Sequence, residues 1–446
     1  MMLVLILLAL VAFIVLATAR WKLHPFLALV AAALLGGIAY GLPLAELPGL
    51  VGEGFGAILG SIGIVILLGT VIGVILERSG AAITMAETVI RLLGNRFPTL
   101  CMSLIGYIVS IPVFCDSGYV ILNSLKNAMA ERMRVPTVAM SVALATGLYA
   151  THTFVPPTPG PLAAAGNLGL ANLGLLIGVG LVVGLMTALA GMAWGNRYLG
   201  REVALVDTPL PAAPEAFAEE RARPGALAAF APIFVPIALI CLGSVAAFPT
   251  APLGEGALAA AARFVGHPMV ALLVGLGAAV KLLPRGERAG QFGRHTTDGL
   301  VAAAPIIAIT GAGGAFGAVL KATPLGTTIS EALVTYNLGL LAPFLIAAGL
   351  KSAQGSTTVA LVTTSAMFAP MLGDLGFDSD MGRVLLVLAI GAGAMTVSHV
   401  NDSFFWVVSQ FSRMPLSLAY RAFTAATLVQ GLTGITTVYL LSFILL

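Results

Sequence analysis

Apolar residues run in long blocks along most of this chain, and charged residues stand between the blocks. A helix that crosses a bilayer needs about 20 predominantly apolar residues, so each block is a candidate membrane span. The pattern predicts ten spans, at residues 2–19, 23–42, 57–76, 137–155, 173–195, 226–247, 268–283, 299–320, 383–403 and 423–445. We therefore expect an all-α polytopic membrane protein.

Two further apolar stretches, about 100–125 and 339–370, are interrupted by polar residues near their middle. Pro112, Asp116 and Ser117 break the first stretch, and residues 354–357 break the second. Irregular backbone is tolerated at membrane depth only where it faces protein or a wet cavity. Each stretch is therefore predicted to be a re-entrant hairpin that enters and leaves on the same side of the membrane.

The basic loops support this arrangement because all of them fall on one side. Lysine and arginine concentrate in cytoplasmic loops, and the predicted spans place Arg20, Arg78, Lys126, Arg285 and Arg413 together on that side. If either hairpin were a full crossing, the later basic loops would lie on the opposite side.

A charged linker with several prolines, residues 199–224, divides the chain into 1–198 and 225–446. Each part holds five predicted spans and one hairpin, and because five is odd the two parts have opposite orientations. This is the inverted-topology repeat of secondary transporters. The segments 69–77 and 313–321 also share a Gly-x-x-x-Gly spacing, which is more typical of close helix packing than of a binding loop.

The composition excludes several classes of protein. Hydrophobic residues make up 59% of the chain and charged residues only 9%, whereas a soluble chain carries roughly 25% charged residues. The 22 basic and 19 acidic residues leave no basic surface that could hold nucleic acid. The three cysteines stand apart without a CxxC pair, so no disulfide framework, metal site or cofactor is predicted.

Polar residues at membrane depth mark substrate or ion pathways, and four clusters meet this description. They are 112–118 at the first hairpin tip, the proline-rich run 151–161, 351–358 at the second hairpin tip, and 398–403 late in the ninth span. We expect the chain to unwind throughout 151–161, because proline cannot continue a helix.

These clusters suit a hydroxylated anion with a single negative charge. Broken helices present N-termini that attract a carboxylate, and hydroxyl and amide side chains can bond to substrate hydroxyls. A di- or tricarboxylate would require more cationic side chains, and only Lys351 is predicted at such depth.

The predicted substrate-binding residues are Ser117, Gly118, Thr151, Thr153, Gln354, Gly355, Ser356, Thr357 and Asn401. The predicted proton-coupling residues are Asp116, His152, His399 and Asp402. An aspartate without a partner in an apolar hairpin is expected to bind a proton. Structural roles remain open for the histidines, for hydroxyls that bond to their own helix, and for Asp402, which could pair with Arg413.

At these clusters the sequence resembles the gluconate permease family, the gluconate:proton symporters of the ion-transporter superfamily. The matching segments are 73–81, 111–116, 145–149, 151–161, 351–356 and 398–406. The proline-rich run and the run from His399 to Trp406 are the most specific of them.

The resemblance implies a multi-pass importer in the bacterial inner membrane that carries gluconate or a related hydroxy acid by proton symport. It also implies a homodimer, in which the hairpin-bearing part moves against a scaffold as an elevator. Residues 117–125 depart from the gluconate carriers. This departure favours a small hydroxylated monocarboxylate without specifying gluconate itself.

Two other functions remain open from the sequence. Backbone carbonyls at broken helices also bind sodium, so a sodium-coupled organic-anion carrier or a cation/proton antiporter would show the same pattern. An intramembrane enzyme needs a nucleophile with a base and an orienting group, and Cys115 beside Asp116 is the only hint of one in the sequence. We therefore expect a transporter rather than an enzyme.

Overall fold

The computed structural model describes residues 2–93, 97–201, 205, 223–246, 253–323, 339–399 and 402–446, and every regular element in these residues is helical. The helices of the first part are α1 (Met2–Val15), α2 (Pro25–Ala39), α3 (Leu47–Arg78), α4 (Ala81–Leu93), α5 (Pro98–Val109), α6 (Cys115–Met133), α7 (Thr137–Phe154), α8 (Pro159–Asn167) and α9 (Leu173–Gly195). Those of the second part are α10 (Ala226–Ala246), α11 (Ala257–Gly266), α12 (Pro268–Val280), α13 (Arg288–Lys321), α14 (Leu341–Gln354), α15 (Thr357–Phe368), α16 (Asp380–Met395), α17 (Ser403–Phe411), α18 (Leu416–Ala419) and α19 (Ala425–Leu445). Most of the predicted linker 199–224 lies outside the described residues.

Several of these helices can cross a membrane. In the described part of the chain, five stretches are long and apolar enough: Thr137–Asn167, Leu173–Tyr198, Ala226–Gly243, Arg288–Lys321 and Leu416–Leu445. The bent pairs Leu47–Ser61 with Gly63–Arg78 and Ala257–Gly266 with Pro268–Val280 bring the number to seven if each pair is one span. The predicted spans 23–42 and 383–403 correspond to α2 and α16, which are each shorter than a full crossing. The predicted span 2–19 corresponds to α1, which continues as a π-helix to Arg20.

Both predicted hairpins are pairs of helices joined by a tight connection. Residues 110–114 join α5 to α6, and Gly355 and Ser356 join α14 to α15, with Gly355 in the left-handed conformation (φ 88°). However, α6 extends to Met133, well beyond the predicted end of the first hairpin. Lys126 therefore lies inside α6 with a completely buried side chain, and its assignment to a cytoplasmic loop is wrong.

The proline-rich run breaks a helix over a shorter stretch than expected. α7 ends at Phe154 and α8 begins at Pro159, so the chain leaves the helix only at 155–158. Pro159 and Pro161 lie in the first turn of α8. The N–H groups of a first turn make no hydrogen bond within the helix, so proline costs none there. The expectation that unwinding continues through Pro161 is therefore wrong.

The predicted span 383–403 is also a broken helix. α16 ends at Met395 and α17 begins at Ser403. The described residues of the polar cluster, Ser398, His399, Asp402 and Ser403, therefore lie in the break and at the start of the next helix, instead of inside a continuous span.

Several elements occur in the same order in the two parts of the chain. A long helix (α3, α13) is followed by a helical hairpin (α5–α6, α14–α15), a broken helix (α7–α8, α16–α17) and another long helix (α9, α19). In each part a glycine lets the broken helix approach the hairpin. A Cβ on Gly147 would collide with the carbonyl oxygen of Ser103, and one on Gly393 with that of Phe344.

The broken helices form the interior of the molecule. In an apolar 18-residue window of Thr137–Asn167, 94% of the residues are buried, whereas the share is 33% in Ala226–Gly243 and 28% in such a window of Leu416–Leu445. Exposed side chains on the outer helices, such as Leu227 and Phe443, are apolar, as contact with lipid requires. The polar breaks therefore lie at the centre and the apolar faces lie outside.

Candidate functional site

A cavity of about 370 Å³ lies where the two hairpin tips meet the two helix breaks. Its lining is drawn from α6, α7, α13, α15, α17 and the connections before them: Phe114, Cys115, Asp116, Tyr149, His152, Ile306, Gly355, Ser356, Thr357, Thr358, Asp402, Ser403 and Phe404. The fold thus brings all four predicted polar clusters together.

Three helices begin at this cavity. They are α6 at Cys115, α15 at Thr357 and α17 at Ser403. Phe114 makes no side-chain capping bond to α6, whereas Ser356 accepts from the Val359 N–H at 3.3 Å and Asp402 from the Phe404 N–H at 3.1 Å. Other N–H groups of each first turn have no acceptor within their helix, so the helix dipoles and free donors make the cavity attractive to an anion.

Asp402 forms a buried ion pair with Lys351 beside the cavity. The distance from Lys351 Nζ to Asp402 Oδ2 is 2.7 Å, and the side chains are 0% and 8% exposed. Ser398 Oγ also donates to Asp402 Oδ2, and Lys351 Nζ donates to the Gly355 carbonyl at 2.6 Å. The possible pairing of Asp402 with Arg413 is therefore wrong, and the pair instead ties the second hairpin to the second helix break.

Asp116 has one bonded and one unbonded carboxylate oxygen. Ser403 Oγ donates to Asp116 Oδ2 at 3.0 Å, while Oδ1 is buried without a hydrogen-bond partner in the described residues. The same holds for Nδ1 of His152, whose ring lies 6.0 Å from that of Phe114. A buried polar atom without a partner is unusual, so both atoms are available to a bound ligand, a water or a proton.

His399 is bonded away from the cavity. Its Nε2 lies 2.9 Å from the carbonyl oxygen of Ser352, which lies in the last turn of α14. In this position His399 holds the chain that follows Met395 against α14, the structural role that the sequence left open.

Four further predicted residues lie behind the cavity. Thr151 Oγ1 donates to the Tyr107 carbonyl and Thr153 Oγ1 to the Tyr149 carbonyl, each at 2.8 Å. Gly118 allows close packing, since its Cβ would lie 2.8 Å from Leu148 Cδ2, and Ser117 lies beside it in the first turn of α6.

The other two predicted residues are Gln354 and Asn401. Gln354 ends α14 directly before the cavity-lining Gly355. Asn401 lies outside the described residues.

Tyr149 is a lining residue that the sequence reasoning missed. Its hydroxyl bonds to Thr357 Oγ1 at 2.7 Å, and Lys351 Nζ lies 5.8 Å from its ring centroid. Tyr149 precedes His152 by three residues, which places both on one face of α7. That spacing was the available signal for its position.

The fold is that of known membrane transporters. The YdaH transporter of Alcanivorax borkumensis matches with a TM-score of 0.68 at 15% identity, over 95% of this chain and 99% of that chain. MtrF of Neisseria gonorrhoeae matches with a TM-score of 0.67 at 13% identity, over 95% and 96%. With the polar breaks at its centre, the chain is a polytopic membrane protein of the transporter class.

The sequence comparisons identify the family. Residues 1–444 match the GntP family permeases. A gluconate permease of Pseudomonas aeruginosa is 34% identical over 98% of this chain and 97% of its own length, and the D-serine transporter DsdX of Escherichia coli is 33% identical over 98% and 97%. The inner membrane permease YgbN of Escherichia coli is 33% identical over 93% and 92%. The chain belongs to the GntP permease family, which confirms the resemblance and a transport function and removes the enzyme alternative.

Proposed function

We propose that this permease imports a small hydroxylated monocarboxylate, gluconate or a related acid, across the inner membrane by proton symport. The observation that carries the proposal is the meeting of three helix N-termini at a cavity with an unbonded carboxylate oxygen. The names of the relatives, a gluconate permease, a D-serine transporter and an inner membrane permease, support a small polar substrate and this location.

The substrate carboxylate binds at the N-termini of α6 and α15, where free N–H groups and hydroxyls are close together. Ser356 and Thr357 supply hydroxyls there, and His152 and Ser403 face the rest of the cavity. The volume of about 370 Å³ lies at the lower end of the range of roughly 300–1,000 Å³ for small-molecule sites. A substrate of the size of a sugar acid or smaller suits this space.

The charges of the site favour a single carboxylate on the substrate. Lys351 lies beside the site, and its ammonium group is already paired with Asp402. Among the described lining residues, only His152 has a cationic form. A second carboxylate on the substrate would therefore find no free positive charge.

Asp116 couples the proton to the substrate. Two like charges about 4 Å apart repel by about 4 kcal/mol at an effective dielectric constant near 20, so an ionised Asp116 opposes a bound anion. A proton on Asp116 removes this repulsion and adds a donor for the substrate. Proton and anion then stabilise each other's binding, and this coupling is reciprocal.

His152 is the second candidate for proton coupling, because its Nδ1 is also without a partner in the described residues. Asp402 and His399 rank behind these two. The charge of Asp402 is balanced by Lys351, and the His399 ring is bonded to a backbone carbonyl.

The same order of elements in both parts supports two inverted repeats that carry the hairpins and breaks as a moving unit. In this arrangement α3 and α13 belong to the scaffold, and the cavity travels in elevator fashion. The homodimer stays a prediction, to be checked by the mass of the purified protein in detergent.

Uptake into proteoliposomes tests the transport proposal. The purified protein is reconstituted, an acid-outside gradient is imposed in sodium-free buffer, and labelled gluconate, glycerate, 3-hydroxybutyrate and D-serine are compared. We expect accumulation of at least one hydroxy acid that a protonophore abolishes. Accumulation that requires sodium would favour the sodium-coupled alternative, and no uptake of any of the four would refute the proposed substrate class.

Substitution of the coupling aspartate tests its role. Asp116→Asn keeps the shape but cannot exchange a proton, so accumulation should fall at least tenfold while substrate exchange without a gradient persists. Asp378→Asn, at an exposed loop position, is the matched control. Unchanged accumulation and an unchanged pH profile in Asp116→Asn would remove Asp116 from this role.

A further inference from the structure

Lys126 is a buried lysine that the substrate site does not use. It lies in α6, its side chain is 0% exposed, and its Nζ has no hydrogen-bond partner in the described residues. The Nζ lies 5.3 Å from the centroid of the Tyr119 ring. A lysine is almost never fully buried without a partner, so this position calls for an explanation beyond packing.

Other polar groups accompany Lys126 in the same region. Asn123 Oδ1, one turn earlier on α6, and Ser141 Oγ on α7 are both buried without a partner in the described part of the chain. The Tyr119 hydroxyl is hydrogen-bonded to Ser412 Oγ, just after α17. Such a group of unsatisfied atoms is the setting in which buried waters are found.

This polar group lies between the substrate cavity and a second cavity. Asp116, Tyr119, Asn123 and Lys126 follow one side of α6 at helical spacing, and a rise of 1.5 Å per residue places Lys126 roughly 15 Å along the helix from Asp116. Beyond it, a cavity of about 420 Å³ is lined by Glu131, Ser412 and Arg413, among others.

α17 runs beside this path and is bonded to it at both ends. Ser403, at its start, donates to Asp116, and Ser412, just after its end, bonds to Tyr119. The second cavity lies at the end of α6 that the positive-inside rule assigns to the cytoplasm.

The charged neighbours leave Lys126 free to change its protonation state. Besides Lys126, the titratable groups on α6 are Cys115, Asp116, Tyr119, Glu131 and Arg132. On the elements around it they include Glu77, Glu87, Tyr107, Tyr149 and Arg413. In the described residues, none of these forms an ion pair with Lys126. A buried lysine of this kind can act as a base, because its amine form needs no counter-charge.

We propose that Lys126 is a proton relay between Asp116 and the second cavity. The carboxylic acid of Asp116 loses its proton through intervening water to the Lys126 amine, which becomes an ammonium group. The ammonium group then passes the proton to water in the second cavity and returns to the amine. This inference rests on the proposed proton symport and adds a residue and a route to it.

The test compares two transport modes of the full chain in proteoliposomes, with whichever acid of the panel the wild type accumulates. Accumulation driven by a pH gradient requires net proton release, whereas counterflow exchange at equal pH does not. Lys126→Met should reduce accumulation at least tenfold and leave exchange within twofold of the wild type. Lys126→Arg should behave in the same way, because a guanidinium group keeps its proton. Lys281→Met, at an exposed position, should leave both modes unchanged.

Three results would overturn the relay: wild-type accumulation in Lys126→Met, full rescue by Lys126→Arg, or an equal loss of both modes in the folded variants. Folding is checked by size-exclusion chromatography, and Lys126→Gln replaces Lys126→Met if the latter does not fold. If the wild type itself shows no proton-driven accumulation, the proposed function fails and the relay with it. If the wild type shows proton-driven accumulation but the Lys126 variants give one of these three results, the relay fails and the proposed function stands.

Discussion

The buried pair of Lys351 and Asp402 allows a sharp prediction about stability. Lys351→Met removes the cation but leaves the Asp402 carboxylate in a site that is 8% exposed. Removing one partner of a buried ion pair typically costs about 3–5 kcal/mol, because the remaining charge is uncompensated. Ser398 and the Phe404 N–H still bond to the carboxylate, but they do not balance its charge.

The double variant Lys351→Met/Asp402→Asn should be more stable than Lys351→Met alone. It contains no unpaired charge, and asparagine still caps the N-terminus of α17. We expect an interaction energy between the two positions of roughly 2–3 kcal/mol, in the upper part of the range for contacting residues.

Thermal unfolding in detergent, followed by tryptophan fluorescence, measures the effect. The single variant should lower Tm by about 5 °C, since each kcal/mol is worth roughly 2 °C or less in a chain of this size, and the double variant should recover at least half of the loss. Lys281→Met serves as the control for a lysine-to-methionine change at an exposed site. Losses that simply add in the double variant would refute the reasoning.

Three further outcomes are expected. His152→Ala should raise the KM for uptake by about threefold to tenfold, the value of one hydrogen bond, and an unchanged KM in a concentration series would contradict contact with the substrate. Cys115 lines the cavity, so with the other two cysteines changed to alanine a membrane-permeant maleimide should label it. Saturating substrate should slow this labelling. Equal labelling rates with and without substrate would place the substrate elsewhere. Gly73→Ala should lower Tm, because the added Cβ would lie 2.5 Å from the Pro112 carbonyl oxygen. Such overpacking typically lowers the free energy of unfolding by about 1–3 kcal/mol. A Tm equal to that of the wild type would show that α3 can shift.

The sequence predicted the breaks at both hairpin tips and in the proline-rich run, but not the break after Met395. Polar groups in apolar stretches are costly and therefore informative. Asp116, His152, Ser356, Thr357 and Asp402 were selected on this ground, and all five line one cavity. Such a signal is local, since it depends only on the residue and its neighbours along the chain.

Elements with mixed composition were missed for the same reason. α4 carries Glu87 and Arg91, so it was not predicted as a span. α8 was not predicted as a helix because its prolines suggested unwinding, although proline fits the start of a helix. Lys126 was assigned to a cytoplasmic loop because its charged side chain suggested an exposed position.

The sequence by itself determined that this protein lies in a membrane and has two interrupted apolar stretches, since both follow from hydropathy along the chain, and its motifs indicated a transporter family. Only the tertiary structure decided which polar groups are partners. In the structure Asp402 pairs with Lys351 instead of Arg413. Thr151 bonds to a backbone carbonyl, and Asp116 Oδ1 has no hydrogen-bond partner in the described residues. The physical reason is that burial is a property of a segment, whereas pairing depends on distances between helices that are far apart in sequence.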